Sequence, residues 1–232
     1  MPKLIFDIET IGEDFDSLDK ATQDVLTRWL KKESKNDEEY QVRLEDIKQG
    51  LGFSALTGQI AAIGVLDYEK NQGAVLYQAP GEKIKDLEEN GIKFKQMSEK
   101  EMLKNFWQGA KEYQEFISFN GRVFDAPFLM IRSAIFKIKP SVNLMPPRYA
   151  NMTNHIDLLD QLTFFGASYK KGGLHLWCRA FNIESPKAQG VTGDDVALLF
   201  KQKKYLDIAK YNVRDLRATK ELYDYWQKYL KF

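Results

Sequence analysis

With 232 residues, 44% of them hydrophobic, the chain has enough apolar material for one sizeable core, and a single domain over residues 1–232 is expected. Its 34 lysines and arginines against 33 aspartates and glutamates leave a net charge of +1, which excludes broad electrostatic attraction to nucleic acid or to anionic membranes. One cysteine (Cys178) excludes an intrachain disulfide, and with only two histidines the chain lacks soft ligands for an ordinary structural zinc site, so a metal here needs oxygen ligands.

The N-terminus enters a strand-like run, Lys3 to Ile8, without a signal-peptide pattern. Gln59–Asp67 and Gly73–Gln78 are two more β-rich runs around a turn at Asn71-Gln72-Gly73, which predicts three neighbouring strands, antiparallel to one another. Between the first and second lies a 46-residue insertion, Glu13 to Gly58, read as two helices. Its stretch Lys31–Lys48 holds five basic and six acidic residues and reads as a solvated helical face. The longest apolar run, Ile60–Leu66, falls far short of the roughly 20 residues that span a bilayer, so a soluble, cytoplasmic protein with no membrane partner is expected.

Ser98-Glu-Lys-Glu101 is a capping box opening a helix to Tyr113, with Met102, Leu103, Phe106 and Trp107 on its apolar face. Glu115–Phe119 predicts a strand, Asn120-Gly121 a turn, and Asp125–Phe136 a helix with Pro127 in its first turn. Pro140–Tyr149 reads as a loop and His155–Leu159 as a strand end passing into a helix. A Lys170–Gly173 loop precedes a helix with Trp177 and Cys178 in the core, and Tyr205–Lys228 predicts a long terminal helix.

Asp7 and Glu9 close the first strand, where residues two apart share a face and two carboxylates can converge. Tyr211 and Asp215, four apart on a helix, are surface neighbours. Asp125 alone reads as a helix N-cap, and Tyr211 alone as one core tyrosine of a tyrosine-rich helix. Together, Phe6-Asp7-Ile8-Glu9-Thr10, Asn120-Gly121-Arg122-Val123-Phe124-Asp125-Ala126-Pro127-Phe128-Leu129 and Tyr211-Asn212-Val213-Arg214-Asp215 resemble, in order, the three motifs of DEDD 3′-5′ exonucleases. The tyrosine in the third motif is similar to the DEDDy branch, and the second motif resembles the proofreading domain of family B DNA polymerases and the stand-alone bacterial exonucleases related to it.

That resemblance implies a ribonuclease H-like α/β fold, a mixed sheet of five to six strands flanked by helices with the insertion 13–58 after the first. It implies a metal-dependent 3′-5′ exonuclease acting on single-stranded DNA 3′ ends and releasing nucleoside 5′-monophosphates. Four carboxylates gathered at one point cannot all ionise without cations, and two divalent ions supply the compensating charge; hard oxygen ligands favour Mg²⁺ or Mn²⁺. By resemblance Asp7 bridges both metals, Glu9 and Asp215 complete one site, and Asp125 acts largely through water on the other. Tyr211, whose ordinary pKa near 10 makes it a poor base at neutral pH, orients the attacking water.

Thr10, Asn120 and Phe124 match positions beside the terminal nucleotide, and Arg122, Arg148, Lys170 and Lys171 are candidate cations for a backbone track. Arg122 reads equally as closing its turn, and the two lysines as loop solubility charges. His155 is expected to be structural and Asp157 an N-cap; His175 has no evident partner. Two competing readings are an exoribonuclease of the same mechanism and a catalytically silent nucleic-acid-binding module of the same fold. The chain leaves no room for a polymerase domain, so proofreading in cis is not expected. The insertion, leaving directly from the Asp7/Glu9 strand, is expected to act as a substrate lid.

Overall fold

A computed structural model describes residues 1–148, 154–168, 172–189 and 193–231. Strand β1 (Lys3–Gly12) alternates as a half-buried strand must: Leu4, Phe6 and Ile8 enter one apolar cluster, while Ile5 and Ile11 enter a second on the other face. The strand runs four residues past the expected end at Ile8, so Asp7 and Glu9 lie in its middle rather than at its tip.

The insertion forms three helices rather than two: α1 (Lys20–Thr27), α2 (Leu30–Glu33) and α3 (Asp37–Gly50). The extra break comes at Asn36, whose side chain takes the Glu39 N–H at 2.8 Å and starts a new helix. No side chain of α3 is fully buried, in keeping with the solvated face read from its charges. A 3-10 turn, Leu51–Phe53, brings the chain back against β1, where a Cβ at Gly52 would stand 2.9 Å from the Gly12 nitrogen.

The chain continues as β2 (Gly58–Asp67), β3 (Gln72–Tyr77), β4 (Leu87–Glu89), β5 (Ile92–Gln96), α4 (Glu99–Ala110), β6 (Glu115–Ser118), α5 (Asp125–Ile135), β7 (His155–Asp157), α6 (Leu158–Leu162), α7 (Leu174–Ala180), α8 (Val196–Lys201) and α9 (Tyr205–Tyr229). The capping box of α4 forms as expected, with the Glu101 carboxylate accepting the Ser98 N–H at 2.9 Å. The sheet order is β4-β5-β3-β2-β1-β6-β7, seven strands where five to six were expected. The additional strands β4 and β5 are short and charged, joined by a turn with Asn90 and Gly91 at positive φ. The β1-β2-β3 meander is antiparallel, and β6 and β7 add in parallel to β1, as expected.

Helix α9 covers one face of the sheet with Leu216, Leu222, Tyr223 and Trp226. Helices α4 and α5 cover the other with Met102, Leu103, Phe106, Trp107 and Leu129, each such side chain worth about 1.5–3 kcal/mol when buried. Two details position the site. First, β1 pairs Glu9 with Ala62 but Thr10 with Ile60, a bulge that leaves Ala61 as the extra residue of β2. Second, β6 pairs only with Lys3–Ile5 and ends at Ser118, so the edge of β1 from Asp7 onward lacks a strand neighbour on that side. Backbone donors there must find other acceptors.

Candidate active site

Helix α5 fills that gap. Asp125 Oδ1 accepts the Ile8 N–H at 2.9 Å, so this carboxylate ties α5 to β1 and does not cap its own helix, contrary to its reading in isolation; Phe124 occupies the cap position without a side-chain bond. From the opposite face α9 presents Asp215 to β1. One carboxylate oxygen from each of Asp7, Glu9 and Asp215 lies within 4.8 Å of the others. Glu9 and Asp215 are buried, Asp7 partly exposed.

Burial raises all four carboxylates, and repulsion from neighbouring acids adds to it at Asp7, Glu9 and Asp125. Desolvation raises Asp7 well above its ordinary range, reinforced by the charges of Asp125, Asp215 and Glu9. Glu9 is raised by burial and by Asp215. Asp125 and Asp215 are each pushed up to about 7, chiefly by burial. Glu9 Oε1 finds no hydrogen-bond partner among the described residues. A buried, acceptor-only oxygen set of this kind fits a hard divalent cation.

Tyr211 is buried beside the cluster and its hydroxyl hydrogen-bonds Asp215. Burial and the charges of Asp215, Glu9 and Asp7 push its ionisation far up, so it stays a neutral phenol. Asp7 and Asp215 line a cleft of about 620 Å³ whose walls also include Phe53 from the insertion, Asn120 after β6, His175 at the start of α7, Lys187 and Tyr211.

The expected substrate-binding residues divide. Asn120 lines the cleft, held at φ 61° by its N–H bond to Asp157 Oδ1 at 2.8 Å. Phe124 packs edge-on against Phe53, with ring centroids 6.4 Å apart. The Thr10 hydroxyl donates to the Gly52 carbonyl at 2.8 Å, pinning the end of the insertion to β1. Arg122 is committed to the scaffold: its guanidinium donates to Pro146 O at 2.7 Å and lies 4.0 Å from Asp160. Arg148 pairs with Asp160. Lys170 and Lys171 lie outside the described residues, as does Tyr149.

His155 is structural, as expected: Nδ1 meets Leu144 O and Nε2 meets Ser118 Oγ, both at 2.8 Å, and burial depresses its pKa to about 4. Asp157 does cap α6, and also accepts the Asn120 and Arg122 N–H groups. Sequence reasoning missed Phe53, His175 and Lys187, which reach the cleft from segments without a motif. It also gave no role to Asn212, although that residue stands inside the third motif.

A family described as predicted 3′-5′ exonucleases related to the exonuclease domain of PolB matches residues 59–230, a span holding Asp125, Tyr211 and Asp215 but neither Asp7, Glu9 nor the insertion. No curated protein is significantly similar in sequence. Among solved structures, the family B DNA polymerase of the hyperthermophilic archaeon Pyrobaculum calidifontis is similar over 98% of this chain and 24% of its own, with 14% identity and a TM-score of 0.60. At that identity the likeness shows the fold, a ribonuclease H-like α/β sheet, and this chain spans about a quarter of the polymerase's length. Among the described residues no helix is long and apolar enough to cross a membrane. The family match covers most of the sequence, and the chain belongs to this family of 3′-5′ exonucleases related to the polymerase B exonuclease domain.

Proposed function

We propose that residues 1–232 act as one metal-dependent 3′-5′ exonuclease domain that trims single-stranded DNA 3′ ends and releases nucleoside 5′-monophosphates. The observation that carries this reading is the Asp7/Glu9/Asp215 cluster, with ligand atoms within 4.8 Å and one Glu9 oxygen unpartnered, opening on a cleft beside Tyr211. In this reading Asp7, Glu9 and Asp215 would hold one Mg²⁺ or Mn²⁺, and Asp7 and Asp125 would serve a second. Two such ions supply Lewis-acid activation of water and stabilisation of the leaving 3′ oxygen.

The chain's own residues do the positioning. The Tyr211 hydroxyl, fixed by Asp215, orients a water for in-line attack at phosphorus; a phenol with so high a pKa is an orienting group and not the base. Water oxygen joins phosphorus as the bond to the 3′ oxygen breaks, leaving a shortened strand with a 3′-hydroxyl. A cleft of about 620 Å³ is on the scale of a small-ligand pocket and suits a frayed terminal nucleotide, not a duplex. Phe53, Phe124 and Asn120 supply stacking and amide contacts to that nucleotide. With a net charge of +1, the grip is local and end-directed.

The test is digestion of 5′-labelled single-stranded DNA, duplex DNA and RNA with Mn²⁺, Mg²⁺ or chelator, beside Asp215→Asn. A ladder shortening from the 3′ end on single-stranded DNA, absent in chelator and in the variant, is expected. A ladder on RNA alone replaces the substrate with RNA. Binding without cleavage under either metal overturns the enzymatic reading for this chain.

A further inference from the structure

We propose that Asn212 is a positioning residue that holds Asp7, beside Glu9 and Asp215, in the geometry that takes a divalent cation, and that Gly64 is the residue that makes room for it. This rests on the metal-binding part of the proposed function. Asn212 is fully buried on α9, between Tyr211 and Asp215. Its Nδ2 donates to Asp7 Oδ2 at 2.7 Å, and the same amide lies near enough to Glu9 to favour its charged form. An amide nitrogen offers protons where an anion needs them. The reversed amide would turn its carbonyl oxygen on the Asp7 carboxylate, so the chemistry selects this orientation.

The choice of an amide has an electrostatic reason. A lysine or arginine in its place would neutralise the cluster and compete with a cation. An aspartate would add a fifth negative charge and no donor. A neutral amide fixes the Asp7 carboxylate against its repelling neighbours and leaves its charge for a metal, in the manner of the partners that orient metal ligands from behind. The orientation leaves Asn212 Oδ1 buried with no hydrogen-bond partner among the described residues. Burying an unpaired acceptor is unfavourable, and the arrangement persists because the donors on the other side of the amide are held by charge.

Gly64 closes the argument from the opposite strand. It stands directly across from Asp7 in the β1–β2 register, and a Cβ built on it would lie 1.7 Å from Asn212 Oδ1 and 2.8 Å from Leu216 Cδ1. No side chain fits there while Asn212 keeps its place, because α9 packs against β2 one turn further on through Leu216. The two positions therefore behave as one unit: a methyl group at 64 displaces the amide from Asp7.

The test measures Mn²⁺ binding by calorimetry on chelator-treated wild type, Asn212→Ala, Asn212→Leu, Gly64→Ala and the double variant Gly64→Ala/Asn212→Ala, with metal-free melting temperatures as a folding control. Asn212→Ala, Asn212→Leu and Gly64→Ala are each expected to weaken Mn²⁺ binding about 10- to 100-fold. Gly64→Ala is expected to add less than about 2-fold in the Asn212→Ala background, since the amide it displaces is gone. Should Gly64→Ala fail to fold, the two Asn212 variants decide the matter. Wild-type Mn²⁺ affinity in both of them overturns the proposal, as does an equal cost of Gly64→Ala in both backgrounds. If the wild type trims 3′ ends while Asn212→Ala binds Mn²⁺ normally, only this inference falls. If the wild type binds Mn²⁺ without trimming, the nuclease reading falls and the variants still decide the role of Asn212.

Discussion

Asp157 and Asp160, at the junction of β7 and α6, are as buried as Glu9 and Asp215, all four being less than a tenth exposed, yet their partners differ in kind. Asp157 accepts three backbone N–H groups, from Asn120, Arg122 and Leu159, at 2.8–2.9 Å. Asp160 is paired with Arg148 and has Arg122 4.0 Å away. Glu9 keeps one oxygen with no partner among the described residues, and Glu9 and Asp215 face other carboxylates. Burial alone therefore does not separate a structural acid from a functional one; the supply of donors does. In the first group the protein itself supplies the donors that hold the carboxylates, although burial still raises Asp157 above its ordinary range. In the second it leaves that task to something else.

Neutralising one acid of the unsatisfied cluster has the largest expected effect. Asp7→Asn or Asp215→Asn is expected to lower exonuclease turnover about 10³-fold or more, beyond the 10- to 100-fold that removing a ligand's outer partner costs. The metal-free fold of both variants should persist, because each removes a repelling charge. Gel assays at saturating Mn²⁺ check the first statement and calorimetric melting in chelator the second. A variant that melts well below the wild type in chelator while retaining its specific activity would reverse the assignment.

A pH series sharpens the same contrast without mutation. Asp125 and Asp215 have pKa values near 7 in the folded protein against an ordinary value of 3.8. Between about pH 4 and 7 the native state therefore holds protons that the unfolded state has released, and stability falls as pH rises through that window. One unit of difference corresponds to about 1.4 kcal/mol per group. In chelator the melting temperature is expected to drop by several degrees from pH 5 to pH 8. Mg²⁺ or Mn²⁺ should restore it at pH 8 and have little effect at pH 5, where protons already occupy the site. A metal-free melting curve insensitive to pH would mean that the carboxylates are compensated by the protein after all.

Asp157→Ala tests the satisfied group. It strands three N–H donors, an expected cost of about 3 kcal/mol, or roughly 6–12 °C in a domain of this size. Mn²⁺ affinity should remain within about 2-fold of wild type, because no ligand loses its partner. Loss of Mn²⁺ binding in a variant that still melts cooperatively would place Asp157 with the metal ligands.

How much of this contrast was legible beforehand follows from where the information sits. The β1 carboxylates, Asp125 and the Tyr211/Asp215 pair announce themselves as local motifs with period-two or period-four spacing, and the capping box at Ser98 is equally local. The β1–β2–β3 meander is written in apolar runs. Strands β4 and β5 were not, because Leu87–Glu89 and Ile92–Gln96 are short and charged and take their structure from pairing, β5 with β3 and the edge strand β4 with β5. The real role of Asp125's carboxylate, holding Ile8, was hidden by 117 residues of sequence separation and by the early end of β6. Phe53 was invisible for a similar reason: its place at the cleft depends on a 3-10 turn at the end of a long insertion, fixed by the close approach of Gly12 and Gly52 and by the Thr10 hydroxyl. Lone residues acquire a role only through such long-range contacts.

Tyr211→Phe carries the smallest expected effect and bears on the boundary between the two kinds of group. Tyr211 is buried like a core residue, but its hydroxyl bonds Asp215, a member of the unsatisfied set. If the hydroxyl orients water, its removal should lower kcat about 10-fold while KM and Mn²⁺ affinity hold, because ring packing and the carboxylate ligands survive. If the bond serves mainly to tether Asp215, the same variant should weaken Mn²⁺ binding and recover its kcat at high metal concentration. Steady-state kinetics across a Mn²⁺ series separates the two outcomes. An unchanged kcat at every Mn²⁺ concentration would return Tyr211 to the core, alongside Tyr205 and Tyr223 of the same helix.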